Sequence, residues 1–115
     1  MPDLAEAVEA VIAELHAGGL RATADLADLN PPGVIVRAPV VTYRFKGGTW
    51  AADWTAHAVA LDPGFDVALK ILGPLLTDVQ TALGFRIVTA RPVLVQTADG
   101  NELPAYEMTW SDRIT

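Results

Sequence analysis

A chain of 115 residues, 51% apolar and 19% charged, can bury a conventional hydrophobic core as one domain spanning 1–115, with no need of disulfides or metals. The absence of cysteine excludes a disulfide framework, a thiolate metal site and a thiol nucleophile, and leaves the redox compartment open. A formal net charge of -6 argues against a surface that grips phosphates, though not against a wall that DNA slides past.

The acidic start Met1-Pro2-Asp3-Leu4-Ala5-Glu6 lacks the basic and then apolar pattern of a secretory signal. It predicts a protein made and kept in the cytosol unless something larger carries it out. In the first predicted helix Asp3 is a plausible N-cap, and Leu4, Val8, Val11 and Leu15 repeat at spacings that place them on one face. His16 falls in the last turn, and Gly18-Gly19 supplies a left-handed stop. A short strand over 20–24 and a polar turn over 25–32 follow. Asn30-Pro31-Pro32-Gly33 cannot be helix interior or central strand, because two prolines remove two backbone donors.

Residues 34–45 read as a strand rich in β-branched and aromatic residues, with Pro39 making a bend or an edge. Lys46-Gly47-Gly48-Thr49 is the predicted hairpin turn. The strand over 50–61 alternates: Trp50, Ala52, Trp54, Ala56 and Ala58 share one face, and Asp53, Thr55 and His57 the other. The alanines predict a helix crossing closely. Asp62 and Pro63 open the second helix as N-cap and first residue, and the expected stripe is Phe65, Leu69, Leu72, Leu76, Val79 and Leu83. Pro74 should kink it near Lys70, and Gly84 should end it. No apolar run approaches the ~18–20 residues of a membrane span, since Lys70 and Pro74 interrupt the richest one.

Strands are expected over 85–91 and 93–98, divided by Pro92, and then over 103–112 after the Asp99-Gly100-Asn101-Glu102 turn. The order α-β-β-β-α-β-β-β with short turns predicts an α+β fold: a mainly antiparallel sheet with two amphipathic helices on one face. The strand over 34–45 carries Val, Ile, Tyr and Phe at both parities, so some apolar β surface should remain outside the helix-covered side. Such a surface, like an exposed strand edge, commonly marks an interface.

Little in the chain suggests chemistry. Ser111 is the single serine and sits in no G-x-S-x-G elbow. His16 and His57 lie on separate elements, and no metal-ligand spacing links them. Asp53 and His57 share a strand face, but four residues of strand separate them by ~13 Å, too far for a dyad. The glycine pairs match no phosphate-binding pattern. Neither a catalytic centre nor a cofactor is expected.

Several stretches in order look familiar: the leading helix; Gly18-Gly19-Leu20-Arg21-Ala22-Thr23; Asp28-Leu29-Asn30-Pro31-Pro32-Gly33-Val34-Ile35-Val36; Trp50-Ala51-Ala52-Asp53-Trp54; Val93-Leu94-Val95-Gln96; and Pro104-Ala105-Tyr106-Glu107-Met108-Thr109-Trp110. Together they resemble the tail terminator proteins of long-tailed phages of actinobacteria, the family of the phage lambda tail terminator. The resemblance covers nearly the whole chain. It implies a subunit of a hexameric ring that caps the tail tube, stops its polymerisation and offers a joining surface to a head-side connector or completion protein. DNA would pass the lumen without specific binding, and the mature location would be the virion. Candidate interface residues are the positively charged hairpin Lys46, Gly47, Gly48 and Thr49 with its flanks Arg44 and Trp50, and the Asn30, Pro31 and Pro32 turn. The rival readings are another phage neck or tail completion protein, and a small-ligand-binding domain with its pocket between the Trp50/Trp54 face and the second helix.

Overall fold

The computed structural model describes residues 3–44, 49–61 and 65–114. Helix α1 runs over Leu4–Ala17, and the Asp3 carboxylate caps it by accepting the Glu6 N–H at 3.0 Å. It ends as its glycines require: Gly19 takes φ 80°, and the Gly19 and Leu20 N–H groups return to His16 and Leu15. Val11 and Leu15 are buried, while Leu4, the first residue of the expected stripe, is exposed. Strand β1 (Ala22–Thr23) pairs in parallel with β2 (Gly33–Val36). Between them Asp25 caps a short 3-10 helix, Leu26–Asp28, inside the stretch expected to be turn.

The strand expected over 34–45 is two strands, β2 and β3 (Val40–Arg44), both antiparallel to the same long strand β4 (Thr49–Val59). Val36 faces Ala56 and Val40 faces Asp53, so four steps on one side match three on the other. One extra residue is therefore accommodated around Pro39, as in a β-bulge. This bulge explains the mixed parity. Val34 and Val36 before it, and Val41 after it, all pack into the helix-side core. The strands flanking the expected hairpin pair as a hairpin requires, Arg44 opposite Thr49, and Lys46 to Gly48 lie outside the described residues.

Helix α2 (Phe65–Ala82) continues through Pro74 without a break. The expected caps Asp62 and Pro63 lie outside the described residues. Its buried stripe is Ala68, Leu72, Leu75 and Val79, leading on to Leu83. Leu69 is 45% exposed and Ala68 is buried instead, so the expected stripe is corrected at Leu69, while the side chain of Phe65 lies outside what the structure describes. Period alone could not decide this, because Ala68 and Leu69 fit the same spacing, and the small alanine is what lets the helix lie close to the sheet. The chain then turns through Gly84 and Phe85, both at positive φ.

The two strands expected on either side of Pro92 are one, β5 (Thr89–Gln96), and residues 85–88 are not strand. Pro92 is tolerated because, among the described residues, β5 pairs only with β6 (Glu102–Ile114) and so lies at the edge of the sheet. Thr97 N donates to Asn101 O in the same register at 2.7 Å, which makes the odd-numbered pairs the hydrogen-bonded ones and puts the missing donor of Pro92 on that edge. The element order is thus α-β-β-β-β-α-β-β, with the same six strands divided differently around α2. The sheet order is β1-β2-β4-β6-β5, with β3 also beside β4, and among the described residues only the β1–β2 pair is parallel. It is an α+β fold with both helices packed on one face, where they bury Ala52, Trp54, Ala56, Ala58, Met108 and Trp110.

Candidate functional site

The face of the sheet turned away from the helices divides into two parts. At one end Ile35, Val59, Val95, Leu103 and Ala105 form a second buried cluster, closed by Leu26 and Leu29 from the 3-10 segment. Part of the apolar β surface expected to lie open is therefore covered by the chain itself. Val40, at 67% exposure and opposite Asp53, is an exposed strand residue of this face outside the cover.

The remainder of this face is polar and cross-linked between strands. The register of β4 against β6 sets His57 opposite Glu107, and that of β5 against β6 sets Arg91 opposite Glu107. Glu107 accepts hydrogen bonds from Arg91 Nε at 3.0 Å and lies 3.4 Å from His57 Nε2, while Arg37 Nε reaches His57 Nδ1 at 3.4 Å. The His57 side chain is only 13% exposed. Burial, and then the Arg37 guanidinium, push its pKa below the ordinary imidazole value against the opposing pull of Glu107. Asp53 takes no part: it accepts a hydrogen bond from Ser111 Oγ at 2.7 Å. One row thus runs from Arg37, just past the end of β2, across β4, β6 and β5, and such cross-strand pairs of polar and charged groups are suited to a fixed strand register. Arg37 and Arg91 went unrecognised from the sequence, since only the strand order brings them beside His57 and Glu107.

The candidate interface residues fall at opposite ends of the molecule. Arg44, Thr49 and Trp50 lie where β3 meets the start of β4, and Trp50 packs against Tyr43 with ring centroids 5.1 Å apart. Asn30, Pro31 and Pro32 precede β2, which begins opposite Val59 at the far end of β4. At ~3.3 Å per residue along β4 the two groups stand roughly 30 Å apart.

Two clefts flank the Asn30 turn. One, of about 400 Å³, is lined by His16, Arg21, Asp28 and Asn30 among others. The other, of about 390 Å³, is lined mainly by Leu26, Leu29, Pro31, Leu61 and Leu103, with Asp99 at its rim. Hydrogen bonds from Thr97 and from Asn101 hold the Asp99 carboxyl below its usual range, so it stays ionised. Trp54 stacks on Trp110 of the neighbouring strand with ring centroids 5.9 Å apart, and the cleft of about 350 Å³ beside Trp54 is lined from α1 by Val11 and Glu14, with Arg86 and Asp112, and by no residue of α2. Among the described residues no three His, Asp or Glu side chains converge as a metal site would need. No protein-family model matches the chain, and no curated protein matches it.

Proposed function

We propose that this protein is a structural subunit of a phage tail that closes into a ring and acts as the tail terminator. The observation that carries the reading is the placing of two unlike surfaces at opposite ends of β4, half-exposed Tyr43 packed on Trp50 at one and the Asn30 turn beside a leucine-lined cleft at the other. A ring needs such a pair, because a head-to-tail contact joins two different patches of the same subunit. The helices and the Leu26/Leu29 cover stiffen the body between those ends. The remaining polar face carries an internally satisfied ladder rather than groups aimed at a substrate, which supports an architectural role over a catalytic one. The order of segments along the chain that resembles tail terminators adds the particular assignment: a hexamer seated on the last ring of the tail tube, with the head-side connector above it and DNA passing through. Copies repeated around a ring let weak contacts add through avidity, so a monomeric free subunit fits this reading.

The experiment is a phage deprived of this protein, examined by electron microscopy. Normal heads with unjoined tails of uncontrolled length are expected. Tails of uniform, normal length would overturn the terminator role and move the protein to head-side completion.

A further inference from the structure

Among the described residues β5 is the longest strand at a margin of the sheet, with eight residues against two in β1 and five in β3, and it pairs only with β6. A long exposed edge is a template for strand addition, and proteins commonly blunt such edges with a bulge, a charged side chain, a covering segment or a proline. Two of these devices are missing from β5. Its register against β6 is unbroken from Thr89 to Gln96, so it carries no bulge. Its one charged residue, Arg91, is tied to Glu107 on the outer face of the sheet. Val93 and Val95 favour extended backbone, and Leu94 is 57% exposed.

Pro92 stands in the middle of this strand. The odd-numbered residues direct their backbone groups to β6, so the groups turned outward are those of Ala90, Pro92, Leu94 and Gln96, and all four residues are exposed. Ala90, Leu94 and Gln96 each turn an N–H and a C=O to the edge, whereas Pro92 turns a C=O and a ring carbon. A strand laid along β5 would meet one donor, then a gap, then two donors. The carbonyl that it brought to Pro92 would be buried without a partner and pressed against the ring.

We propose that Pro92 closes the β5 edge to strand addition, so that copies of this protein meet through side-chain surfaces and not by running one sheet into the next across β5. An open sheet offers an obvious head-to-tail contact, the edge of one copy laid on the edge of its neighbour. Where such a contact fails to close, it gives filaments. Pro92 removes that route at the longest edge. The inference does not depend on the ring reading, and it narrows that reading to contacts between surfaces.

Amide hydrogen exchange and light scattering test this on the native chain and on Pro92→Val, which keeps an apolar side chain suited to a strand and restores the donor. In the native protein the amides of Val93 and Val95 should be protected, and those of Ala90, Leu94 and Gln96 should exchange rapidly at every concentration. Pro92→Val should associate at a concentration about tenfold lower than the native protein, the scale of one regained backbone hydrogen bond. Its Leu94 and Gln96 amides should become protected as it does so. Adding Leu94→Lys, which places a charge on the edge, should reverse both changes. Slow exchange at Leu94 and Gln96 in the native protein would overturn the inference, whether or not the variant folds. A folded Pro92→Val that associates as the native protein does would overturn it too. Neither result bears on tail length in the deprived phage, so the ring reading stands or falls separately.

Discussion

On its helix side β4 presents Ala52, Trp54, Ala56 and Ala58, and on its outer side Asp53, Thr55 and His57. The helix side is dry. Small residues bring the helices close, and two stacked tryptophans fill the room beside them. The outer side has no second layer of its own. One end borrows two leucines from a 3-10 turn, and the rest relies on pairs between neighbouring strands. Stability is thus concentrated on one face, and the other is left available for contacts with other chains. A ring subunit needs that division, since the surface it shows its neighbours cannot also be its core.

The largest effect should come from the helix face. Leu72 is fully buried and Leu69 is 45% exposed, three residues apart on α2. Leu72→Ala should destabilise the protein by about 3 kcal/mol, and Leu69→Ala by well under about 1 kcal/mol. Urea denaturation of both variants checks this, and equal losses would mean that the core stripe is misplaced. Next in size is Ile35, the fully buried residue beneath the small outer cover. Ile35→Ala should cost roughly 2 kcal/mol, while Leu26→Ala, at a partly buried position, should cost about half as much. A Leu26→Ala loss as large as that of Ile35→Ala would show that the cover is no minor element.

Trp110 gives a subtler comparison within the dry face. It is 2% exposed, and its Nε1–H has no hydrogen-bond partner among the described residues. Trp110→Phe removes an orphaned donor whose burial costs about 1–3 kcal/mol, and it also removes apolar contact of similar worth. The net change should stay within about 1 kcal/mol. Trp54→Phe carries no such relief and should be the more damaging of the two by thermal denaturation.

Much of the architecture was legible in the sequence, for reasons particular to each element. Asp3 and Gly19 fixed the ends of α1, and the Trp-Ala alternation fixed both the existence and the inward face of β4. What could not be read depended on pairing. Pro39 announced a bend, but only the register against β4 reveals the inserted residue that turns Val41 back toward the helices. Pro92 looked like a divider because its missing donor counts against a strand, and the objection vanishes once β5 is an edge. Leu69 was misplaced because periodicity weighs a leucine above an alanine, whereas close packing chose Ala68. The candidate surfaces were named one by one from composition. That they occupy opposite ends, and that a groove lies beside Pro31, follows from β2 and β3 pairing with opposite halves of β4, which no local pattern announces.

The smallest predicted effect tests whether the outer ladder contributes to folding at all. His57 is faced by Arg37 from the bulge, Glu107 from β6 and, further off, Arg91 from β5, and burial is the largest influence on it. Its pKa in the folded protein lies below the ordinary 6.5 that the unfolded chain retains. As pH falls below 6.5, the unfolded chain therefore binds a proton before the folded one does. The contribution of neutral His57 is then complete above that pH, and it is lost as pH falls from there through the folded value. Carboxylates titrate lower in the acid range and blur the raw profile, so the useful quantity is the difference between the native protein and His57→Gln. That difference in melting temperature should favour the native protein most above pH 6.5, and it should shrink as the medium is made more acid. Glu107→Gln should enlarge the acid loss, because it removes the one neighbour that helps the imidazole hold a proton. A difference that stays flat with pH would mean that His57 is solvated like any surface histidine. The ladder would then be a consequence of the strand register and not one of its causes.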